Sequence, residues 1–276
     1  MLRGDEPSLC SPHRVDDGVS CFTLDELVDL AEAWNTTESV DKVDPTLPRE
    51  QLVSSLRDRM GDVCGNEACW LDQSRLVSAL RNRTSTAVYD EITRFALKPK
   101  GRKGKHEWLS TPDIENVMRQ YERVFPYFRF ISCVASDHYQ LHPAEFPAET
   151  IATTPISAIV FNLDNSRQRG SHWVAVVFAH DDDDVLTIEY FDSTGNKPNR
   201  NIREFLSHPF FHDAVYVQNT VAHQRQNSEC GVYSMYFILQ RCYGVTVDEF
   251  NERRVTDKEM NDYRAYLFRA AMAGHI

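Results

Sequence analysis

The segment from Cys230 to Tyr243 limits the possible folds more than any other, because it is a long and almost wholly apolar helical stretch. It reads CGVYSMYFILQRCY, and such a helix is stable only when other elements bury it on most sides. Strand-like runs precede it, and no internal repeat is visible. The sequence therefore predicts an α+β domain with several strands and one strongly buried helix.

Several runs rich in β-forming residues come before that helix. Two of them, Trp173–Ala179 and Val185–Phe191, are joined through the four aspartates Asp181–Asp184, which suits a hairpin with a charged, solvated turn. We interpret the four aspartates as this turn rather than as a metal site. The other predicted strands are Phe128–Val134, Ile156–Phe161 and Ala214–Gln218, and a short helix is expected near Ile202–Ser207.

The first 97 residues show a helical pattern, and we expect residues 1–97 to form a helical extension that precedes a main domain at residues 98–276. Thr23 and Glu26 form a capping box at the start of a helix that runs to Trp34. The other predicted helices are Pro48–Gly61, Leu71–Leu80, Trp108–Val124 and a final one announced by Thr256 and Glu259.

The charge balance opposes contact with nucleic acid and anionic membranes, since 30 basic and 41 acidic residues give a formal net charge of −11. A basic run departs from this average, and its glycines and proline predict an exposed, flexible loop. A weak DNA contact through this loop stays open beside plain solvation of its residues Lys98, Lys100, Arg102, Lys103 and Lys105. No apolar run is long enough to span a membrane and the start lacks a signal-peptide core, so we expect an intracellular protein.

Seven cysteines are scattered along the chain, an odd number unlike the dense, even framework of a small secreted scaffold. We therefore expect reduced thiols, of which one or two are functional. Cys64 and Cys69 form half of a possible zinc site, whose other half would come from Cys10, His13 or Cys21. The spacing is looser than that of a zinc knuckle, and we do not assign a metal.

Cys230 occupies the amino-terminal end of the buried helix, where the helix dipole favours the thiolate. A thiolate nucleophile needs a base, a group that orients the base, and donors for the developing oxyanion. His172 starts one strand of the predicted hairpin and Asp192 follows the other, so antiparallel pairing brings them side by side. Gln224, six residues before Cys230, supplies a side-chain amide.

These residues belong to separated motifs that together resemble the SUMO and ubiquitin-like-protein-specific cysteine proteases and their viral relatives. The motifs are, in order, His172-Trp173, Asp192-Ser193 and Gln224-x5-Cys230-Gly231. The resemblance covers about half of the chain and implies a papain-like catalytic domain, with a central mixed sheet and a buried helix that carries the nucleophile. It also implies that His172 is the general base, Asp192 orients it, Cys230 is the nucleophile, and Gln224 with the Cys230 backbone N–H binds the oxyanion.

Two tryptophans are also placed by the resemblance. It implies that Trp173 and Trp108 flank a narrow channel that only glycine passes, whereas the alternative for Trp173 is a plain core aromatic on a strand. Trp108-Leu109 looks like the family's W-L-N-D-x-x-I element, but Ser110 and Thr111 stand where the family has Asn and Asp. That Asp is among the family residues that engage the SUMO tail, so the departure argues against deSUMOylation and leaves proteolysis intact.

The resulting hypothesis is a cysteine endopeptidase without a cofactor that cleaves Gly-containing sites, with the helical extension helping to bind its protein substrate. The pattern from Cys64 to Gln73 is similar to homologues encoded by large DNA viruses of eukaryotes. We therefore expect a viral maturation protease that processes structural polyproteins in the host cytoplasm or inside the virion. A SUMO or ubiquitin-like-protein protease is the alternative, and a catalytically inactive binding module of the same fold is a third hypothesis.

Overall fold

The computed structural model describes residues 8–38, 41–61, 64–101 and 106–270. They form two compact units: one holds the described residues up to Gly101 together with those from Tyr266 onward, and the other holds the described residues between, up to Ala265. The return of the chain to the first unit was not anticipated from the sequence. That residues 1–97 recognise substrate stays a prediction. No helix in the described ranges is long and apolar enough to cross a membrane.

The first unit is helical, as predicted, with its helices at α1 (Leu24–Thr37), α2 (Arg49–Met60), α3 (Glu67–Trp70), α4 (Ser74–Arg83) and α5 (Thr86–Asp90). Helix α5 continues as a π-helical turn, Glu91–Phe95. The predicted capping box is present, since the Thr23 hydroxyl accepts from the Glu26 N–H and the Glu26 carboxylate accepts from the Thr23 N–H. The helix expected at Leu71–Leu80 corresponds to α4, which begins and ends three residues later, and the short helices α3 and α5 were missed.

Four of the seven cysteines form disulfides in the first unit, Cys10 with Cys21 and Cys64 with Cys69. The prediction of reduced thiols is therefore wrong for these four, and the zinc alternative fails with it. Their Cα atoms lie 5.0 and 5.4 Å apart, within disulfide range, but sequence spacing alone does not reveal such distances. No group of three or more His, Cys, Asp or Glu side chains in the described ranges could hold a metal ion.

The start of the basic run is not the exposed loop that its composition predicts. Lys98 is only 7% exposed, because its backbone N–H donates to Leu9 and its carbonyl accepts from Arg269, which brings the side chain into the interior. Burial lowers the pKa of Lys98 to about 8. Lys100 pairs with Asp72 at 2.8 Å. Of the five residues considered for a DNA contact, Lys98 is buried and Lys100 is paired, whereas Arg102, Lys103 and Lys105 lie outside the described residues.

The second unit is built on a five-stranded mixed sheet whose strands follow chain order, β1-β2-β3-β4-β5. Strand β1 pairs with β2 and β4 with β5 in parallel, whereas β2, β3 and β4 are antiparallel neighbours. The strands are β1 (Phe128–Ala135), β2 (Ile156–Asn162), β3 (Trp173–His180), β4 (Leu186–Phe191) and β5 (Val215–Gln218). The helices are α6 (Thr111–Tyr121), α7 (His138–Leu141), α8 (Ala148–Thr153), α9 (Arg200–Leu206), α10 (Cys230–Cys242), α11 (Val247–Asn251) and α12 (Asp257–Leu267), the last of which ends in the first unit.

Strand β3 is covered on both faces, and this explains its unbroken apolar sequence. Val174, Val176 and Phe178 share one face and pack into an aromatic cluster with Phe205 and Phe211. Helix α10 packs against β3, and the alternation of side chains leaves the opposite face of the strand for this contact. The predicted α+β fold, with a mixed sheet and a buried helix, is confirmed.

Helix α6 begins three residues later than the predicted helix at Trp108. Ser110 ends the preceding extended segment, since its N–H and its hydroxyl each donate to the Asp113 carboxylate at 2.7 Å. This cap fixes the helix start at Thr111. Trp108 and Leu109 therefore lie ahead of the helix rather than within it.

Candidate active site

Cys230 is the first residue of α10, and its side chain is 2% exposed. The unpaired N–H groups of the first helical turn surround this position and favour negative charge there. Residues 231–235 continue the helix and are all buried. The sulfur is therefore held at the start of the most buried helix of the second unit.

His172 and Asp192 meet at the open end of the β3–β4 hairpin, as the antiparallel topology predicts. His172 directly precedes β3 and Asp192 directly follows β4. The His172 Nε2 donates to Asp192 Oδ1 across 2.7 Å, and the carboxylate is fully buried. The Cys230 side chain lies close enough to His172 to raise the pKa of the imidazole. The structure thus brings together the three residues predicted to act together.

The electrostatics of these three residues favour a charged imidazole. Burial by itself lowers the pKa of His172, but the hydrogen bond to Asp192 and the neighbouring Cys230 side chain raise it more, to about 9 from the ordinary 6.5. His172 is therefore an imidazolium at neutral pH. An imidazolium beside a thiol stabilises the thiolate as an ion pair, which is the reactive form of a cysteine nucleophile.

Asp192 is fixed by residues that the sequence analysis did not single out. Its Oδ1 also accepts from the Thr194 N–H at 2.8 Å and from the Thr194 hydroxyl at 2.7 Å. The side chain of buried Asn219 binds the Asp192 backbone twice, accepting from its N–H at 2.9 Å and donating to its carbonyl at 2.8 Å. Asn219 follows β5, and the parallel pairing of β4 with β5 could have indicated it, because both strands end at one edge.

Gln224 is joined to the residue after Asp192. Its Oε1 accepts from the Ser193 hydroxyl at 2.6 Å, and its backbone N–H donates to the Ser193 carbonyl at 2.8 Å. One N–H of the side-chain amide donates to the Gln226 carbonyl. The amide has a second N–H that can be given to a ligand, as an oxyanion donor requires.

Both predicted substrate-binding tryptophans line one cleft of about 420 Å³. Trp173 is buried and Trp108 is 44% exposed. The Trp173 indole N–H donates to the Leu109 carbonyl at 2.9 Å, and its Cδ1 would lie 3.2 Å from a Cβ placed on Gly231. Because Gly231 follows Cys230, this wall of the cleft lies close to the residue after Cys230. That the cleft admits only glycine stays a prediction.

Residues 135–273 match the Ulp1 protease family, C-terminal catalytic domain, and this match spans half of the chain. The chain belongs to the Ulp1 protease family. It is a cysteine protease, and the fold described above is that of the family.

The similarity of this protease to known proteins extends beyond the family domain. A thiol protease of Acanthamoeba polyphaga mimivirus is 29% identical over 95% of this chain and 93% of its own length. A SUMO-1 cysteine protease of African swine fever virus is 26% identical over 81% of this chain and 89% of its own. The crystal structure of an ASFV protease shares the fold, with a TM-score of 0.69 at 21% identity over 96% of this chain and 97% of that one. The likeness thus includes the helical first unit.

The protease also carries a buried carboxylate next to Cys230, and no sequence motif indicated it. Glu229 is fully buried and accepts from the Ser228 N–H at 3.0 Å, the Ser228 hydroxyl at 2.6 Å and the Asn261 amide at 3.1 Å. Burial raises the pKa of Glu229, but these hydrogen bonds lower it more, so the net shift is downward. Glu229 is therefore an anion that ties the residues before Cys230 to α12.

Proposed function

We propose that the protein hydrolyses the peptide or isopeptide bond that follows the glycine tail of a SUMO or ubiquitin-like protein. The observation that carries the proposal is the hydrogen bond between Asp192 and His172, with the Cys230 thiol next to His172 at the start of α10. The names of the family and of its African swine fever virus relative support the substrate class. The cleft between Trp108 and Trp173 supports a slender, glycine-containing segment beside Cys230.

The chemistry proceeds in two steps. The Cys230 thiolate attacks the scissile carbonyl, and the Gln224 amide with the Cys230 backbone N–H stabilises the resulting oxyanion. The intermediate collapses to a thioester as the His172 imidazolium gives its proton to the leaving amine. Neutral His172 then takes a proton from water, whose oxygen attacks the thioester, and the carboxylic acid product and the Cys230 thiolate are released. Asp192 keeps the imidazole oriented in both steps.

Replacement of the nucleophile tests this assignment. Cys230→Ala should remove hydrolysis by at least on the order of 10³-fold and leave thermal unfolding nearly unchanged, since only a thiol is lost. Cys242→Ala is the matched control, because Cys242 is a buried thiol at the other end of the same helix and should keep its activity. A Cys230→Ala protein that retains a tenth of the wild-type rate would remove Cys230 from the chemistry.

Processing of a structural polyprotein is the second candidate, and one observation favours it. Where the family's W-L-N-D element has an Asp, this chain has Thr111, and the nearby Asp113 carboxylate is engaged by Ser110. A charged anchor for a globular SUMO partner is therefore lacking at this position. The sequence motifs favour this candidate, whereas the names of the relatives favour a SUMO or ubiquitin-like-protein substrate, so polyprotein processing stands second.

A direct comparison of substrates separates the two candidates. The protein is incubated with a SUMO fusion, a ubiquitin fusion and short Gly-containing peptides, and kcat/KM is measured for each, with Cys230→Ala as the blank. The proposal expects the SUMO or ubiquitin fusion to be cleaved at least about tenfold more efficiently than the peptides, because a globular partner adds binding surface. Efficient cleavage of peptides with untouched fusions would promote the polyprotein candidate.

A further inference from the structure

The segment Arg254–Asp257, between α11 and the first residue of α12, holds the chain on both sides of Gln224. The Arg254 Nε donates to the His223 carbonyl at 2.8 Å. The backbone N–H of Arg225 donates to both oxygens of the Asp257 carboxylate, at 3.2 and 3.1 Å. The residues on either side of Gln224 thus bond to one short segment, which contains none of the proposed catalytic residues.

The same segment is bonded to the helix that carries the nucleophile. Tyr233 is fully buried on α10, three residues after Cys230. Its hydroxyl lies 3.1 Å from both the Val255 carbonyl and Asp257 Oδ1, and so has an acceptor in this segment. The Asp257 carboxylate therefore contacts the loop of Gln224 and the helix of Cys230 at the same time.

His223 adds a third bond to this arrangement. Its imidazole is fully buried, and its Nδ1 accepts from the Val255 N–H at 3.1 Å. An imidazole can accept at this nitrogen only while it is neutral there. Burial lowers the pKa of His223 to about 4, so the bond persists at neutral pH. The buried imidazole thus fixes the position next to Gln224.

We propose that Asp257 is a positioning residue for the oxyanion hole, whose carboxylate joins the Arg225 N–H to the Tyr233 hydroxyl and so fixes the Gln224 amide relative to Cys230. The inference rests on the oxyanion role given to Gln224 under the proposed function. A donor stabilises an oxyanion only when it is already in place, and a displacement of about 1 Å can cost up to 10²-fold in rate. Reactions of Cys230 that form no oxyanion should not depend on Asp257.

This contrast defines the experiment. Asp257→Ala should lower kcat by about tenfold with KM within about twofold, because the lost interaction acts in the transition state. A peptide aldehyde, which forms a tetrahedral adduct with Cys230, should bind about tenfold more weakly. Alkylation of Cys230 by iodoacetamide should stay within about twofold of wild type, because attack on a saturated carbon creates no oxyanion.

Matched variants separate positioning from folding. Asp257→Asn keeps an oxygen acceptor for the Arg225 N–H and should restore most of the lost kcat. Asp262→Ala is the control, since Asp262 is an exposed residue of the same helix that pairs with Lys258. Tyr233→Phe removes only the hydroxyl that bonds Asp257, and it should lower both kcat and aldehyde affinity, as Asp257→Ala does. It therefore tests the contact between Asp257 and α10 if Asp257→Ala does not fold.

A double variant tests whether Asp257 acts through Gln224. In a Gln224→Ala background, Asp257→Ala should cause almost no further loss of kcat, because the positioned donor is already absent. Full additivity, or alkylation that falls in parallel with kcat, would overturn the inference. A Gln224→Ala protein with wild-type aldehyde affinity would overturn the oxyanion assignment itself, whereas a defective Gln224→Ala beside a normal Asp257→Ala would overturn this inference alone.

Discussion

His172 has two neighbours, Asp192 and Cys230, that both raise its pKa against the lowering effect of burial. The raised value of about 9 means that the imidazolium is retained at neutral pH and lost as the pH rises through about 9. Because its pKa in the folded protein exceeds the ordinary 6.5, protonation of His172 stabilises the fold. This stabilisation is complete below about pH 6.5 and is lost as the pH rises through about 9.

A pH profile of kcat/KM tests this residue directly. The wild-type profile should fall on the alkaline side near pH 9, where the imidazolium is lost. Asp192→Asn removes the largest of the effects that raise the pKa, so the alkaline fall should move to lower pH, together with a lower maximal rate. An alkaline limb that stays in place in Asp192→Asn would contradict the role of Asp192 in holding the charge on His172.

At this scale the sequence predicts the residues that lie at the ends of strands and helices. His172 and Asp192 could be placed together because a hairpin brings the start of one strand beside the end of the next. Asp257 could not, because its partner Arg225 lies 32 residues away and the bond is made to a backbone N–H, which has no sequence signature. Side chains that bind backbone groups across loops are the part of the site that pattern reasoning misses.

Helix α10 starts with Cys230 and Gly231, and the glycine allows Trp173 and Leu109 to approach the helix start. Because Ala has the higher helix propensity, Gly231→Ala should stabilise the helix by up to about 1 kcal/mol. The added Cβ, however, would lie 3.2 Å from Trp173 Cδ1 and from Leu109 Cδ1. We therefore expect kcat/KM to fall on the order of tenfold through displacement of the cleft wall, with thermal stability changed little.

The control for this substitution is Gly65→Ala, where an added Cβ meets no atom within 4 Å. Its kcat/KM should equal that of the wild type. Steady-state kinetics and thermal unfolding of both variants decide the matter. If Gly231→Ala were as active as Gly65→Ala, close contact between the cleft wall and α10 would not matter for turnover.

The elements themselves were largely predictable, and the exceptions have identifiable causes. Strand β3 and helix α10 are long, apolar and bounded by polar turns, so their patterns are clear. The start of α6 was misplaced because the apolar pair Trp108-Leu109 continues the helical period, whereas the Ser110 cap sets the boundary. Short helices such as α8 and α11 bury few residues and leave too little pattern to detect.

The cysteine pairing is a property of the whole molecule that a thiol titration can measure. Seven cysteines less the four in disulfides leave three free thiols, Cys133, Cys230 and Cys242. Protein unfolded without reductant should therefore titrate three thiols, and seven after reduction. Seven thiols before reduction would restore the original expectation of reduced cysteines.

The native protein offers a further check on the same point. Burial raises the pKa of Cys133 and raises that of Cys242 to about 12, so neither is a thiolate at neutral pH. One equivalent of iodoacetamide should accordingly modify Cys230 first, as mass spectrometry of digested protein would show. Earlier modification of Cys242 would contradict the burial of that thiol.

The chain leaves the first unit after Gly101 and returns to it at Tyr266. Within that unit the Gly101 N–H donates to the Arg269 carbonyl at 2.8 Å, and the Arg269 guanidinium donates to the Ala68 carbonyl at 3.2 Å. These partners lie some 170 to 200 residues apart in the sequence, and the ribosome synthesises His172, Asp192 and Cys230 between them. The unit that emerges first during translation is thus completed after the one that emerges second.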